Sequence, residues 1–178
     1  KKTNLHSGIS RSYLDLVSEK TGIDFELVPT NSWADSAKKI NNEEADLYTV
    51  VVKTDSREKV MDFSIPYIKM PQVFVTKKDI SFISDIKDLY GKKLALIKGY
   101  AVTEKIRKEH PKVIVVEVNS IYEALQEIIN GNAVAYIDIL PMVSYYIQQK
   151  GFSNLKVSGT TEYSLKFSMA LRNDWGEE

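Results

Sequence analysis

Segments with helical and strand periodicity alternate along the first half of the chain. Apolar positions three and four residues apart predict helices around residues 13–17 and 33–40. The stretch DFELV alternates polar and apolar residues as a half-buried strand does, and DLYTVVV is a short β-branched run typical of a buried strand. The first half therefore predicts the order helix, strand, helix, strand.

The second half repeats this order. YAVTEKIRKEH predicts a helix and KVIVVEV a strand. NSIYEALQEIING predicts a helix with a capping box made by Ser120 and Glu123 and a stop at Gly131. AVAYI then predicts a strand, and LPMVSYYIQQKG predicts a helix with Pro141 in its first turn. This alternation favours the α/β class with mostly parallel sheets.

The two halves align with each other at an offset of 88 residues (119 minus 31), which pairs Asn31 with Asn119 and Tyr48 with Tyr136. Two generic αβαβ units could match by coincidence, but the shared residues favour a structural repeat. We therefore expect two α/β lobes of similar build.

Two segments predict where the chain passes between these lobes. They are residues 73–76, within PYIKMPQVFVTKKD, and residues 164–170, within YSLKFSMALRND. On this interpretation lobe 1 contains residues 1–73 and 167–178, and lobe 2 contains residues 74–166. We expect two hinge crossings and a cleft between the lobes, where α/β proteins bind small molecules.

Composition narrows the class of partner. Lys plus Arg and Asp plus Glu both number 24, so the formal net charge is zero, and nucleic acid is not the expected partner. The chain has no cysteine, which excludes disulfides, thiol catalysis and thiolate metal sites. No apolar run approaches the roughly 20 residues that cross a bilayer. The abrupt ends KKTNLHSG and RNDWGEE predict a trimmed piece of a longer protein.

Arg57 is the first candidate for a ligand contact, because it follows a Thr-Asp-Ser turn at the end of a buried strand. Thr54 can cap a short helix there, and an arginine beside free N–H groups can hold a carboxylate by two parallel hydrogen bonds. The alternative is a solvated arginine paired with Asp55 or Glu58.

The second half offers two further candidates. Asp138 follows AVAYI at the end of a buried strand, where a carboxylate suits a ligand ammonium group, although it could instead be the N-cap of the next helix. Gly99 ends the strand KLALI just before a helix, so the stretch GYAV permits close backbone approach to a ligand, or forms an ordinary strand-to-helix turn.

Catalytic and metal-binding patterns are lacking. The chain has two histidines, and His110 precedes a proline at a helix end, where it suits a C-terminal cap. The motifs H-E-x-x-H and G-x-S-x-G do not occur. We therefore predict no metal, no cofactor and no enzymatic activity.

The stretch ADLYTVVVKTDSREKVMDFSIPYIKMPQVFVTKK resembles the signature of family 3 bacterial extracellular solute-binding proteins, which have the two-lobed type II periplasmic-binding fold, or Venus flytrap. The matching positions are Asp46, Thr54, Arg57, Phe63, Ser64, Pro66 and Tyr67. DLYGKKLALIKGYAVTEKI resembles the opening of that family's second lobe, and EALQEIINGNAVAYIDILPMVSYYI resembles a later stretch of it. The resemblance runs from Gly8 to about Asp174.

The resemblance implies a role for each candidate. Arg57 holds the α-carboxylate of an amino acid, and Asp138 takes its α-ammonium group. The carboxylate site is completed by residues beside Arg57 and after Gly99, namely Val52, Thr54, Tyr100, Ala101 and Val102. The chain departs from the family pattern where three valines precede Lys53 and where Tyr100-Ala101-Val102 replaces a Gly-Thr/Ser pair, so a residue that offers a hydroxyl to the carboxylate is lost.

The resemblance also implies an extracytoplasmic protein that binds an amino acid or a related small polar carboxylate. The sequences GYAV and LPMVSYYI are more similar to those of sensor domains of histidine kinases than to those of free carriers. We therefore expect the sensor domain of a transmembrane signalling protein, with a membrane-anchored kinase as partner and a homodimeric assembly. The alternatives are a free binding protein serving an ABC amino-acid permease, a cyclohexadienyl-dehydratase-type enzyme on the same fold, and an interaction module that has lost ligand binding.

Overall fold

The computed structural model describes residues 8–174. Five helices occur in this range: α1 (Ile9–Thr21), α2 (Trp33–Asn41), α3 (Ala101–Glu109), α4 (Ile121–Ile129) and α5 (Leu140–Lys150). Seven strands accompany them: β1 (Leu47–Val52), β2 (Met61–Phe63), β3 (Ile68–Lys77), β4 (Lys93–Ile97), β5 (Ile114–Val118), β6 (Ala135–Ile139) and β7 (Leu155–Arg172). Two short 3-10 helices lie at Arg57–Lys59 and Ile86–Leu89.

Backbone contacts divide the chain into two compact units. Unit 1 contains the described residues up to Asn31, then Asp35–Ile68, then those from Phe167 onward; unit 2 contains Ser32–Ala34 and Lys69–Lys166. The sequence placed the first boundary after residue 73, whereas these contacts group residues 69–73 with unit 2. Apart from the short segment Ser32–Ala34, the chain passes between the units at the start of β3 and within β7.

Unit 1 is built around the C-terminal part of β7. Strand β1 pairs antiparallel with it, with Val52 opposite Phe167, and β2 pairs antiparallel with it from Met61 opposite Arg172. Leu14 of α1 and Ile40 of α2 are buried, so each helix presents an apolar side chain to this unit's core.

Unit 2 has a parallel centre. Strand β4 pairs parallel with β5 and β6, as the buried runs KLALI and AVAYI predict, while β3 pairs antiparallel with β6. Strand side chains on one face, among them Val73, Ala95 and Tyr136, pack with α4 and α5, where Val143 of α5 joins them. Strand side chains on the other face, among them Phe74, Leu94 and Ile137, pack with Ile106 of α3. The alternation of side chains along each strand produces these two cores.

The backbone of β7 touches a loop of unit 2 at Gly159. A Cβ atom placed on this glycine would lie 2.0 Å from the carbonyl oxygen of Ile83. The N–H of Ile83 donates to the carbonyl of Ser158 at 2.8 Å, which fixes the approach. Only glycine fits at this position.

The internal repeat is visible in the elements. Helices α2 and α4 begin 88 residues apart (121 minus 33), as do β1 and β6 (135 minus 47). The same hydrogen bond, from an asparagine N–H to a carboxylate four residues later, occurs at the start of α2 and of α4. The N–H of Asn31 donates to Asp35 Oδ2 at 2.9 Å, and that of Asn119 donates to Glu123 Oε2 at 2.8 Å. In α4 the hydroxyl of Ser120 also accepts from the N–H of Glu123 at 3.2 Å.

The predicted strand DFELV does not form. Residues 22–30 have no regular secondary structure, and Leu27 is 43% exposed. Polar and apolar residues alternate here, but a strand requires a neighbouring backbone to satisfy its N–H and C=O groups. None of the strands described between residues 8 and 174 pairs with this segment.

Candidate functional site

Arg57 lies in a short turn that follows β1 in unit 1. Its backbone N–H donates to the carbonyl of Thr54 at 3.0 Å, and its Nη1 donates to the carbonyl of Val52 at 2.6 Å. The Thr54 hydroxyl lies 3.4 Å from the Arg57 nitrogen and 2.9 Å from the hydroxyl of Ser56. The structure thus brings together three of the predicted contact residues, with the half-buried guanidinium held at the strand end.

Glu58 and Tyr48 are two neighbours of Arg57 whose own interactions are described. Glu58, one of the carboxylates proposed as its surface partner, pairs instead with Lys53 at 2.5 Å. Tyr48 lies close enough to be influenced by Arg57: burial raises the pKa of the phenol, and the positive charge of Arg57 opposes that rise. Arg57 therefore sits beside a partly desolvated aromatic side chain, where a charge-assisted hydrogen bond is strong.

The second predicted contact region, in unit 2, is the turn between β4 and α3. Gly99 has φ 77°, and a Cβ there would lie 3.1 Å from the indole ring of Trp33. Tyr100 is the N-cap of α3 and packs edge-on against Trp33, with ring centroids 6.2 Å apart. Ala101 is half-buried, whereas Val102 is 4% exposed and packs in the core.

Asp138, the third predicted contact, is enclosed in unit 2. It is 5% exposed, its Oδ1 accepts the N–H of Ile139 at 2.7 Å, and its Oδ2 accepts a short hydrogen bond from the hydroxyl of Tyr136. Burial raises the pKa of the Asp138 carboxyl, although both hydrogen bonds act in the opposite direction. The N-cap residue of α5 is Ile139, with no side-chain cap, so Asp138 does not cap that helix.

Two polar residues near Asp138 were absent from the sequence prediction. Tyr136 is 1% exposed, and its pKa is raised well above 10 by burial and by Asp138. Its contact with Asp138 could have been found, because residues two apart on a strand share a face. Gln72, opposite Ile139 on β3, is also 1% exposed, and its Oε1 has no hydrogen-bond partner within residues 8–174. No sequence pattern marks that orphaned oxygen.

His110 belongs to a separate buried network. Its backbone N–H caps α3 by donating to Ile106 at 2.8 Å, as expected for a helix end. Its ring nitrogens lie 3.1 Å from the Tyr90 hydroxyl and 2.6 Å from the Tyr163 hydroxyl. Within the described part of the chain no three His, Cys, Asp or Glu side chains are placed to hold a metal ion.

Two compact units joined at the start of β3 and within β7, with an arginine held at a strand end, define a solute-binding domain of the type II periplasmic-binding fold. The chain belongs to the bacterial extracellular solute-binding proteins, family 3, whose model matches residues 1–137. It is therefore an extracytoplasmic protein. Among helices within residues 8–174, none combines the length and hydropathy needed to cross a bilayer.

Two relatives and one solved structure illustrate this membership. The virulence sensor protein BvgS of Bordetella pertussis is 28% identical over 155 residues, which is 87% of this chain and 12% of BvgS. The crystal structure of the periplasmic VFT2 domain of that protein has a TM-score of 0.85 at 25% identity, over 98% of this chain and 74% of that domain. The amino-acid-binding protein AabA of Dichelobacter nodosus is 25% identical over 93% of this chain and 67% of AabA. The predicted two-lobed type II fold is thus confirmed. The expectation of mostly parallel sheets is correct only for β4 with β5 and β6, because β1, β2 and β3 pair antiparallel with their neighbours.

Proposed function

We propose that this chain is the extracytoplasmic ligand-binding domain of a transmembrane sensor and that its ligand is a small carboxylate. The observation that carries the proposal is the position of Arg57. Its side chain is anchored by the Val52 carbonyl and its backbone by the Thr54 turn, so the guanidinium is already ordered before a ligand arrives. An ordered arginine loses little conformational entropy when it binds a carboxylate.

The remaining predicted contacts support recognition rather than catalysis. Val52, Ala101 and Val102 have apolar side chains, and Thr54 and Tyr100 offer hydroxyl groups. Among the seven predicted contacts, the sole carboxylate belongs to Asp138, which is buried and hydrogen-bonded. Asp138 is therefore a poor candidate for the exposed acid that a dehydratase needs for proton transfer.

The relatives favour a sensor and also support a second candidate. BvgS is a sensor protein by name, and the chain spans 12% of its length. The chain spans 67% of AabA, an amino-acid-binding protein by name, which favours a free carrier for a permease as the alternative. On the sensor hypothesis, the partners are a membrane-anchored kinase and a second copy of the chain. Sequencing the gene beyond Glu178 separates the two: a sensor continues into a membrane-spanning helix and a kinase, and a carrier does not.

A thermal-shift screen of small carboxylates tests the binding function. A ligand of the native state raises the melting temperature, and we expect Arg57→Gln to reduce affinity at least about tenfold because a charge-assisted bidentate contact is lost. Arg11→Gln is the matched control, since Arg11 pairs with Asp15 on the surface of α1 at 2.7 Å. A ligand that binds Arg57→Gln and the parent chain equally well would remove Arg57 from the site.

A further inference from the structure

His110 is a buried histidine of unit 2 that the proposed ligand site does not use. It is 8% exposed and is the C-cap residue of α3, where its backbone N–H donates to Ile106 at 2.8 Å. The hydroxyl of Tyr90 lies 3.1 Å from Nδ1 of the ring, and the hydroxyl of Tyr163 lies 2.6 Å from Nε2. Both ring nitrogens therefore face hydroxyl groups, which can either donate or accept a hydrogen bond.

Glu109 sets the direction of the hydrogen bond between Tyr163 and His110. The Tyr163 hydroxyl donates to Glu109 Oε2 at 3.3 Å, because a carboxylate can only accept. A hydroxyl has one proton, so the Tyr163 oxygen receives its second hydrogen bond from the Nε2–H of His110. In the neutral ring Nδ1 then carries no proton, and it accepts from the Tyr90 hydroxyl.

A second proton on His110 would keep both hydrogen bonds of the ring. The Nε2–H continues to donate to Tyr163, and the new Nδ1–H donates to the oxygen of Tyr90. The proton of the Tyr90 hydroxyl must then turn away from the ring, and water can accept it because Tyr90 is half-buried. The change is confined to one hydroxyl group, which reverses from donor to acceptor.

Negative charge from two elements lies close to the ring. Glu162 of β7 places its Oε1 4.0 Å from Nε2, and Glu109 of α3 is joined to the ring through Tyr163. The C-terminal end of α3 adds the partial negative charge of its free carbonyl groups, which favours a cation at that end. Before Tyr90, the carboxylates of Asp85 and Asp88 accept from N–H groups of their own 3-10 turn.

Two lysines oppose this negative charge. Lys105 Nζ lies 3.8 Å from Glu109 Oε1 and 4.6 Å from the centroid of the Tyr163 ring. Lys112 Nζ lies 5.7 Å from the centroid of the Tyr90 ring. Each lysine is thus placed against the aromatic face of one of the two tyrosines that contact the imidazole.

We propose that His110 is a proton-binding site of unit 2 and that Tyr90 is the group that changes its role when the proton binds. Histidine is the side chain that ordinarily changes charge between about pH 5 and pH 8, so the site is a pH-responsive switch. The hydrogen bonds of the ring join the end of α3 to β7 and to the end of the 3-10 helix Ile86–Leu89. This inference does not depend on the ligand proposed above.

Nitrogen NMR of the 178-residue chain with isotopically labelled histidine tests the site. His6, the chain's other histidine, is replaced by glutamine so that His110 alone gives a ring signal. At about pH 8 we expect the proton on Nε2, and at about pH 5 protons on both nitrogens with the backbone amide spectrum still native. A ring that keeps one unprotonated nitrogen until the chain unfolds in acid overturns the proposal. A proton on Nδ1 instead of Nε2 at about pH 8 overturns the role of Tyr90.

Tyr90→Phe removes the group whose role changes. At about pH 8 this variant leaves a neutral acceptor without its donor, whereas at about pH 5 it leaves a charged N–H without its acceptor, which is the costlier loss. We therefore expect the fall in melting temperature to be about twofold larger at the lower pH.

Tyr67→Phe is the matched control for Tyr90→Phe. The Tyr67 hydroxyl donates to the carbonyl of Thr49 at 2.6 Å within unit 1, so its removal also breaks one hydrogen bond. A backbone carbonyl does not change charge, and the fall in melting temperature should be the same at both pH values. If Tyr90→Phe also lowers the melting temperature equally at both, Tyr90 has only a structural role and the switch is contradicted.

Discussion

The environment of Asp138 makes its charge a cost to folding at neutral pH. Burial raises its folded-state pKa, so the neutral form is favoured in the native protein. A group with a raised pKa contributes stability that is complete below the ordinary value of about 3.9 and is lost as the pH rises through the folded pKa. This loss begins once the pH exceeds the ordinary value, so it is under way at pH 7.

Asp138→Asn should therefore stabilise the chain at pH 7. The amide stays neutral at every pH, so we expect a melting temperature a few degrees higher at pH 7, where ~1 kcal/mol corresponds to about 2–4 °C for a chain of this size. The advantage should vanish below about pH 4, where the parent aspartate is itself protonated. Calorimetric melting across that pH range measures it, and equal melting temperatures at pH 7 would contradict it.

Replacing Asp88 by asparagine should change stability at pH 7 in the opposite direction, so Asp88→Asn is the matched variant for Asp138→Asn. It accepts hydrogen bonds from Ser84 N and Oγ and from Asp85 N at 2.9, 3.0 and 3.2 Å. The Ser84 N–H contributes most to lowering the pKa of its carboxyl. That stability is present above the ordinary pKa and is lost as the pH falls through the folded value, so Asp88→Asn should lower the melting temperature at pH 7. If the melting temperature at pH 7 rises in both Asp88→Asn and Asp138→Asn, the change in stability comes from removing a charge and not from the surroundings of each carboxyl.

Local contacts of individual side chains could be predicted from the sequence, whereas tertiary contacts could not. The Thr-Asp-Ser-Arg turn predicted that Thr54 and Arg57 would meet, and local hydrogen bonds bring them together. The enclosure of Asp138 was missed because it depends on α4 and α5 covering one face of β6, which is a tertiary contact. The shared strand face of Tyr136 and Asp138 was the available signal.

At the scale of elements, the sequence correctly predicted apolar strands that pair with a neighbouring strand in the sheet. β4, β5 and β6 carry apolar runs, and β5 and β6 each pair with β4, so pattern and packing agree. DFELV has a strand pattern but no partner, and the pattern alone does not form a strand. The 18-residue β7 was predicted only around residues 164–170, because Gly159 interrupts its pattern.

Gly159→Ala should disrupt the contact between β7 and the loop at Ile83. The new Cβ would lie 2.0 Å from a backbone oxygen that cannot rotate away, so we expect the free energy of unfolding to fall by at least ~3 kcal/mol. Chemical denaturation measures the loss.

Gly91→Ala is the control for that substitution. Gly91 has φ 73° but nothing within 4 Å of its Cβ position, so only backbone strain of about 1–2 kcal/mol is expected. Similar losses in the two variants would show that the Ile83 loop yields to the new methyl group.

At the scale of the whole molecule, stability should decline in alkaline solution. Burial raises the pKa of Tyr136 and of Tyr163, and nearby carboxylates add to the rise in both. Because the folded chain keeps these phenols neutral, their contribution is complete below the ordinary pKa of about 10 and is lost as the pH rises above it.

Denaturant unfolding between pH 8 and 11 measures that decline. Tyr163→Phe cannot ionise, so its stability should fall less steeply above about pH 10 than that of the parent chain, even though it starts lower because the bond to His110 is gone. Tyr145→Phe, at a position 58% exposed on α5, should leave the slope unchanged. If the free energy of unfolding of Tyr163→Phe falls with pH as steeply as that of the parent chain, groups other than Tyr163 cause the loss of stability in alkaline solution.

Gly159 also has a consequence for how this chain can diverge over evolutionary time. Along most of β7 a mutation can exchange one residue for another of like polarity, because side chains point away from the backbone. At position 159 the neighbouring atom is a main-chain oxygen, which every residue type possesses, so no second mutation at Ile83 can compensate. In homologues that retain this loop contact, glycine should therefore be invariant at this position even where the ligand-contacting residues have been exchanged.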